Sequence, residues 1–104
     1  MSSRIKNKFS ELKALRSAKP RVRRALLSDR ELVLAVIEVI INVLNGNVKL
    51  GAAEKKKLER YRGQLRKLAG KGSVKSKQKL IQQKGGFLST LLPPAIALLA
   101  SLIK

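Results

Sequence analysis

The chain has no cysteine, no histidine and no tryptophan, and only six acids among its 104 residues. Without cysteine and histidine it can form no disulfide, carries none of the usual zinc ligand sets, and lacks the side chain that most often serves as a general base near neutral pH. No enzymatic activity is expected, and neither a cofactor nor a metal. The aromatics Phe9, Tyr61 and Phe87 are too few to build the stacking platforms of single-strand or RNA-recognition folds, and no zinc-finger or recognition-module signature appears. A secretory leader is not expected either. Charge begins at Arg4, with no apolar run ahead of a small-residue cleavage site, so synthesis in the cytosol is the default.

The shortage of acid faces an abundance of base: 24 Lys and Arg leave a net charge of +18. A small domain needs a magnitude of only about 2 to 8 for solubility. An excess of this size opposes compaction unless a polyanion or an anionic surface relieves it, so the partner is the first question. The length allows one small domain with a modest core.

That core must be arranged around SDRELVLAVIEVIINVLNG, residues Ser28 to Gly46. Ser28 and Glu31 match a capping box, Asp29 and Glu31 suit the positive end of a helix dipole, and Asn45-Gly46 supplies a left-handed stop. Glu31, Glu38, Asn42 and Asn45 recur as one thin polar strip on an otherwise apolar helix of about 29–45, which therefore needs neighbours on most sides. Its length of roughly 22 Å falls short of a ~30 Å hydrocarbon layer, and Glu38 at its middle argues further against a membrane span. Glu38 itself reads as a structural carboxylate, partly exposed or paired with a lysine.

Ahead of this helix, Ile5, Phe9, Leu12 and Leu15 share one face of an amphipathic helix over residues 3–18 that Pro20 should end. Lys19 to Arg24, KPRVRR, is a dense basic cluster, read either as a nuclear-import or phosphate-binding patch or as a solvated charged linker. Beyond the turn, a second helix is predicted over about 52–69 with Gly70 and Gly72 as its exit. Leu58, Tyr61, Leu65 and Leu68 form its stripe, Gly63 weakens it, and no side chain stands before it to cap it. A short helix follows within 73–83.

Gly85-Gly86 is the sharpest boundary, dividing a basic helical region, residues 1–84, from an apolar segment, residues 85–104. Leu88, Leu91, Leu92, Ala95, Ile96, Leu99, Leu102 and Ile103 follow helical spacing, and Pro93-Pro94 predicts a break with a new helix starting at Pro94. The segment has three readings: completing the core, binding a partner or self-associating, or entering a bilayer. The expected fold class is all-α, a small bundle with basic amphipathic helices on both sides of the central helix.

Lys and Arg placed against phosphates release condensed counterions whatever the base sequence, which makes duplex DNA the expected partner. The residues expected to contact phosphate are Lys19, Arg21, Arg23 and Arg24 in the first basic arm, Lys55, Lys56, Lys57, Arg60, Arg62, Arg66 and Lys67 in the second, and Lys75, Lys77 and Lys79 beyond it. A membrane-active or membrane-anchored protein working through the apolar tail is the alternative from a different class. A cellular chromatin or ribosome-associated protein shares the basicity but leaves the tail unexplained.

The basic N-terminal half, the segments ELVLAVIEVIINVLNGNVKL and KKKLERYRGQLRKLAG, and the tail VKSKQKLIQQKGGFLSTLLPPAIALLASLI together resemble the small basic virion core proteins of adintoviruses and Polinton/Maverick elements. Those in turn look like the adenoviral core protein X (mu) precursor. The resemblance spans about residues 12–103 and rests most on the NVLNGN turn and the QKGGFL junction. Gly51 departs from it, standing where relatives carry Ser or Thr ahead of the second helix. It implies a protein packaged with double-stranded DNA in a virion core, condensing the genome, present in the host nucleus during assembly, with capsid or other core proteins as further partners. Adenovirus-like maturation proteases favour a pattern that Leu68-Ala69-Gly70-Lys71-Gly72 fits, which would place a cleavage at Lys71 and Gly72. An ordinary helix C-cap accounts for the same residues and is the preferred reading.

Overall fold

The computed structural model describes residues 3–102; Ile103, counted above in the apolar face, lies outside them. Among the described residues the chain is all-helical, with no strand. The first predicted helix forms as two pieces, α1 (Ser3–Asn7) and α2 (Phe9–Arg16), separated by a kink at Lys8. The helical bonding continues through it, with the Lys8 N–H donating to Arg4 C=O at 3.1 Å and the Leu12 N–H to Lys8 C=O at 2.9 Å. The kink lets α1 lie along the central helix, burying Ile5, while α2 lies along the last helix.

The reading of Lys19–Arg24 as a linker needs correction: residues 20–26 form α3 (Pro20–Leu26). Proline ends the preceding helical pattern and also starts this one. Its fixed φ suits the first helical position, where its missing N–H costs nothing. The central helix is α4 (Arg30–Leu44), and its cap also differs from expectation. Asp29, not Ser28, accepts the Glu31 N–H, at 3.1 Å, while the Ser28 hydroxyl donates back to Ala25 C=O at 2.6 Å. Leu32, Val33, Ala35, Val36, Ile37, Val39 and Ile40 are buried. The stop is as read from sequence, with Asn45 at the C-cap and Gly46 at φ 78°, a conformation that glycine adopts without steric cost.

The helix expected over 52–69 is also two, α5 (Ala52–Glu59) and α6 (Arg62–Ala69). Between them the N–H groups of Arg60 and Tyr61 donate three residues back, to Lys57 and Leu58, forming a tightened turn that ends the first helix. Tyr61 meets Phe87 there in a tilted ring contact at 5.9 Å. With glycine before α5, only half a capping box is available: the Glu54 carboxylate accepts the Gly51 N–H at 2.7 Å. α7 (Val74–Lys84) starts where Ser73 Oγ accepts the Ser76 N–H, and one 3-10 turn, Gly85–Phe87, leads into α8 (Leu88–Leu102).

The break expected at Pro93-Pro94 does not occur; α8 runs through both prolines. Each proline withholds an N–H from the helix, at a cost of about 3 kcal/mol or more in a helix interior. Leu91, Leu92, Ile96 and Leu99, on either side of the pair, are buried and gain about 1.5–3 kcal/mol each by leaving water. Four such side chains together gain about 6–12 kcal/mol, of the size needed to offset the two missing bonds. The tail thus shares a single hydrophobic cluster with α4, α2 and α6, in a body of 30 × 29 × 27 Å.

Candidate polyanion-binding surface

Acids that could neutralise the basic arms are largely committed elsewhere. Arg4, on α1, forks between two carboxylates of α4, with Nε donating to Glu31 Oε2 at 3.1 Å and Nη1 to Glu38 Oε1 at 2.8 Å. Lys8 Nζ donates to Asp29 Oδ2 at 2.7 Å. These are the ion pairs among the described residues, and they tie three of the six acids to the N-terminal helix rather than to the arms. The Lys8 ammonium, helped by the Glu31 N–H, holds the Asp29 carboxyl below the usual aspartate range, and hydrogen bonding to Asp29 raises Lys8 in turn. Glu54 serves the start of α5. Glu11 is half-buried on α2, with Oε2 buried and unpartnered, which leaves Glu59 as the remaining exposed acid.

Twelve of the fourteen basic residues singled out from the sequence are exposed, and none of the fourteen takes part in those ion pairs. Arg23 and Lys77 differ. Arg23 is half-buried, with its Nε enclosed and unpartnered and its side chain lying against Gly85. Lys77 donates to Gly70 C=O, closing the exit of α6. Both have roles in packing and capping that the sequence pattern did not indicate.

The structure joins residues of the first arm with those beyond the second. α3 packs on α7, and two glutamines of α7 fasten it: Gln78 Nε2 donates to Leu27 C=O at 2.7 Å and Gln82 Nε2 to Arg24 C=O at 3.2 Å. These carbonyls at the end of α3 have no partner within their own helix. The two glutamines thereby set Lys19, Arg21 and Arg24 beside the helix bearing Lys75 and Lys79. Arg30, which the sequence reading absorbed into the cap of α4, belongs to the same region. It lines a shallow cleft of about 310 Å³ with Ser73, Val74, Lys75 and Gln78, and no acid lines that cleft. The second arm lies on α5 and α6, carried against α8 and α4 respectively.

At Leu68–Gly72 the segment leaves α6 through an exposed turn containing Lys71, with Gly70 as the C-cap and Gly72 at φ 144°. Leu68 itself is buried, so a protease that seats this leucine would first have to unwind the last turn of α6. Among the described residues no three potential ligands cluster to hold a metal ion, and no helix is long and apolar enough to cross a membrane. No protein family, no curated protein and no solved structure matches this chain.

Proposed function

We propose that the protein binds and condenses double-stranded DNA without regard to sequence, as a core protein packaged with a genome in a virus or virus-like element. The observation that carries this reading is the separation of charge. Asp29, Glu31 and Glu38 pair with the N-terminal helix and Glu54 caps α5, leaving Glu59 as the exposed acid within the second arm, while twelve of the basic residues remain exposed and outside any ion pair on α3, α5, α6, α7 and their flanks. A surface of that kind gains affinity by displacing counterions from phosphates, a gain independent of base identity. The virion setting comes from the resemblance described above.

Retardation of unrelated duplexes at graded salt tests it. With roughly ten phosphate contacts, log K should fall against log salt with a slope near −9 on duplex DNA, and affinities for different sequences at matched salt should agree within a few-fold. A strong preference for one sequence, or a shallow slope, would refute the reading.

A further inference from the structure

In the last turn of α4, Val43 packs against the core while Ile41 and Leu44 face away from it. Ile41 and Leu44, three residues apart on one face, are 36% and 41% exposed, and they are two of the three large apolar side chains so exposed among the described residues. Beside Leu44, a groove of about 410 Å³ opens between the end of α4 and the α5–α6 pair. Val43, Leu50, Leu58 and Leu65 line its apolar part, and Lys55, Arg62 and Glu59 its polar part. Apolar grooves of this kind accept one face of an amphipathic helix, whose anchors recur every three or four residues.

The charge around the groove says which helix. Two cations line it against one acid, on a molecule of net charge +18. A basic partner is repelled, a second copy of this chain included, whereas carboxylates on the edge of an incoming helix meet Lys55 and Arg62. We propose that the α4–α5–α6 groove is a docking site for an acidic amphipathic helix of a partner protein, with its apolar anchors on Leu44 and the groove floor. This does not rest on the DNA reading, although Lys55 and Arg62 belong to both surfaces, so duplex DNA and the partner compete for them.

The test uses the full chain and two labelled synthetic helices of equal negative charge, followed by fluorescence anisotropy. One carries leucines on one face and glutamates on the other; the second has alanines in place of the leucines. The leucine helix should bind at least about tenfold more tightly than the alanine helix. Leu44→Ser and Arg62→Glu should each remove about tenfold of that binding, while Val22→Ser, on the exposed apolar position of α3, leaves it unchanged. Circular dichroism establishes that each variant is folded, and Arg62→Glu carries the test should Leu44→Ser disturb the helix. Equal binding of the two helices, or indifference to both groove variants, overturns the proposal in favour of charge alone. Sedimentation showing a dimer that Leu44→Ser abolishes overturns it in favour of a second copy. Failure of DNA retardation would leave this result untouched.

Discussion

At the scale of single residues, the N-terminal helix is held by charge as well as by Ile5. Asp29 has two roles, capping α4 and receiving Lys8, so its protonation acts on both. Its folded-state pKa lies below the unfolded value of 3.8, so its contribution to stability is fully present above that value and is lost as the pH falls through the depressed folded value. Lys8 shifts the other way. Its contribution is present below 10.5 and disappears as the pH rises through the raised folded value. The share of stability carried by this pair is therefore level between these limits and lost at each end, so the melting temperature of Asp29→Asn should fall less than the wild type's at both extremes. Removing the cap outright by Asp29→Ala should cost about 1 kcal/mol at neutral pH, read from chemical denaturation. Melts of Asp29→Asn whose drops equal the wild type's in size would show that the pair has no part in stability.

At the scale of elements, several helices depart from the periodicity that announced them, each for a physical reason. The position and stop of α4 were legible because a long apolar run and Asn45-Gly46 each point to the same limits. The kinks at Lys8 and at Arg60–Tyr61 were not, since Phe9, Leu12, Leu58 and Leu65 keep helical spacing on both sides and only tertiary partners, α4 for the first and Phe87 for the second, require the chain to turn. The basic arms could be read as exposed from charge alone. Their spatial grouping depends on Gln78 and Gln82, whose contacts reach back 51 and 58 residues, a span that no local pattern reports. Gly63 was legible as a weak point. It is exposed in α6, with negative φ and open space where a Cβ would sit, so Gly63→Ala should stabilise the protein by about 0.5–1 kcal/mol. The prolines of α8 lead to a related expectation: Pro94→Ala restores a donor to Thr90 C=O and should raise the melting temperature, by an amount corresponding to about 3 kcal/mol. A fall in melting temperature would mean that the pyrrolidine ring itself is needed for packing.

At the scale of the whole molecule, the apolar tail is structural wherever else it acts. A chain ending at Lys84 loses Phe87, Leu88, Leu91, Leu92, Ile96 and Leu99 from the shared cluster, and at about 1.5–3 kcal/mol for each buried side chain this exceeds or rivals the 5–15 kcal/mol that stabilises an ordinary domain. Its circular dichroism should show little cooperative melting, although it retains nearly every basic residue and should keep a steep salt dependence on DNA. Retention of a sharp, wild-type transition would separate the tail from the fold. Salt should act in opposite directions on the intact protein. It should screen the self-repulsion of unpaired cations and so raise the melting temperature, while the proposed hold on phosphate should weaken.

On the proposed function, the dimensions of the folded body, 30 × 29 × 27 Å, carry one more consequence, for the spacing of the DNA it would condense. An unfolded polycation of equal charge can lie in a groove and let neighbouring duplexes close to contact, like the teeth of a zipper. A ball with its cations on the outside works instead as a bearing: it bridges two duplexes and also props them apart by its own diameter. Small-angle scattering from the protein–DNA condensate would then show an interaxial repeat that expands by a folded diameter relative to a polylysine condensate, and heating through the melting transition should let that lattice contract.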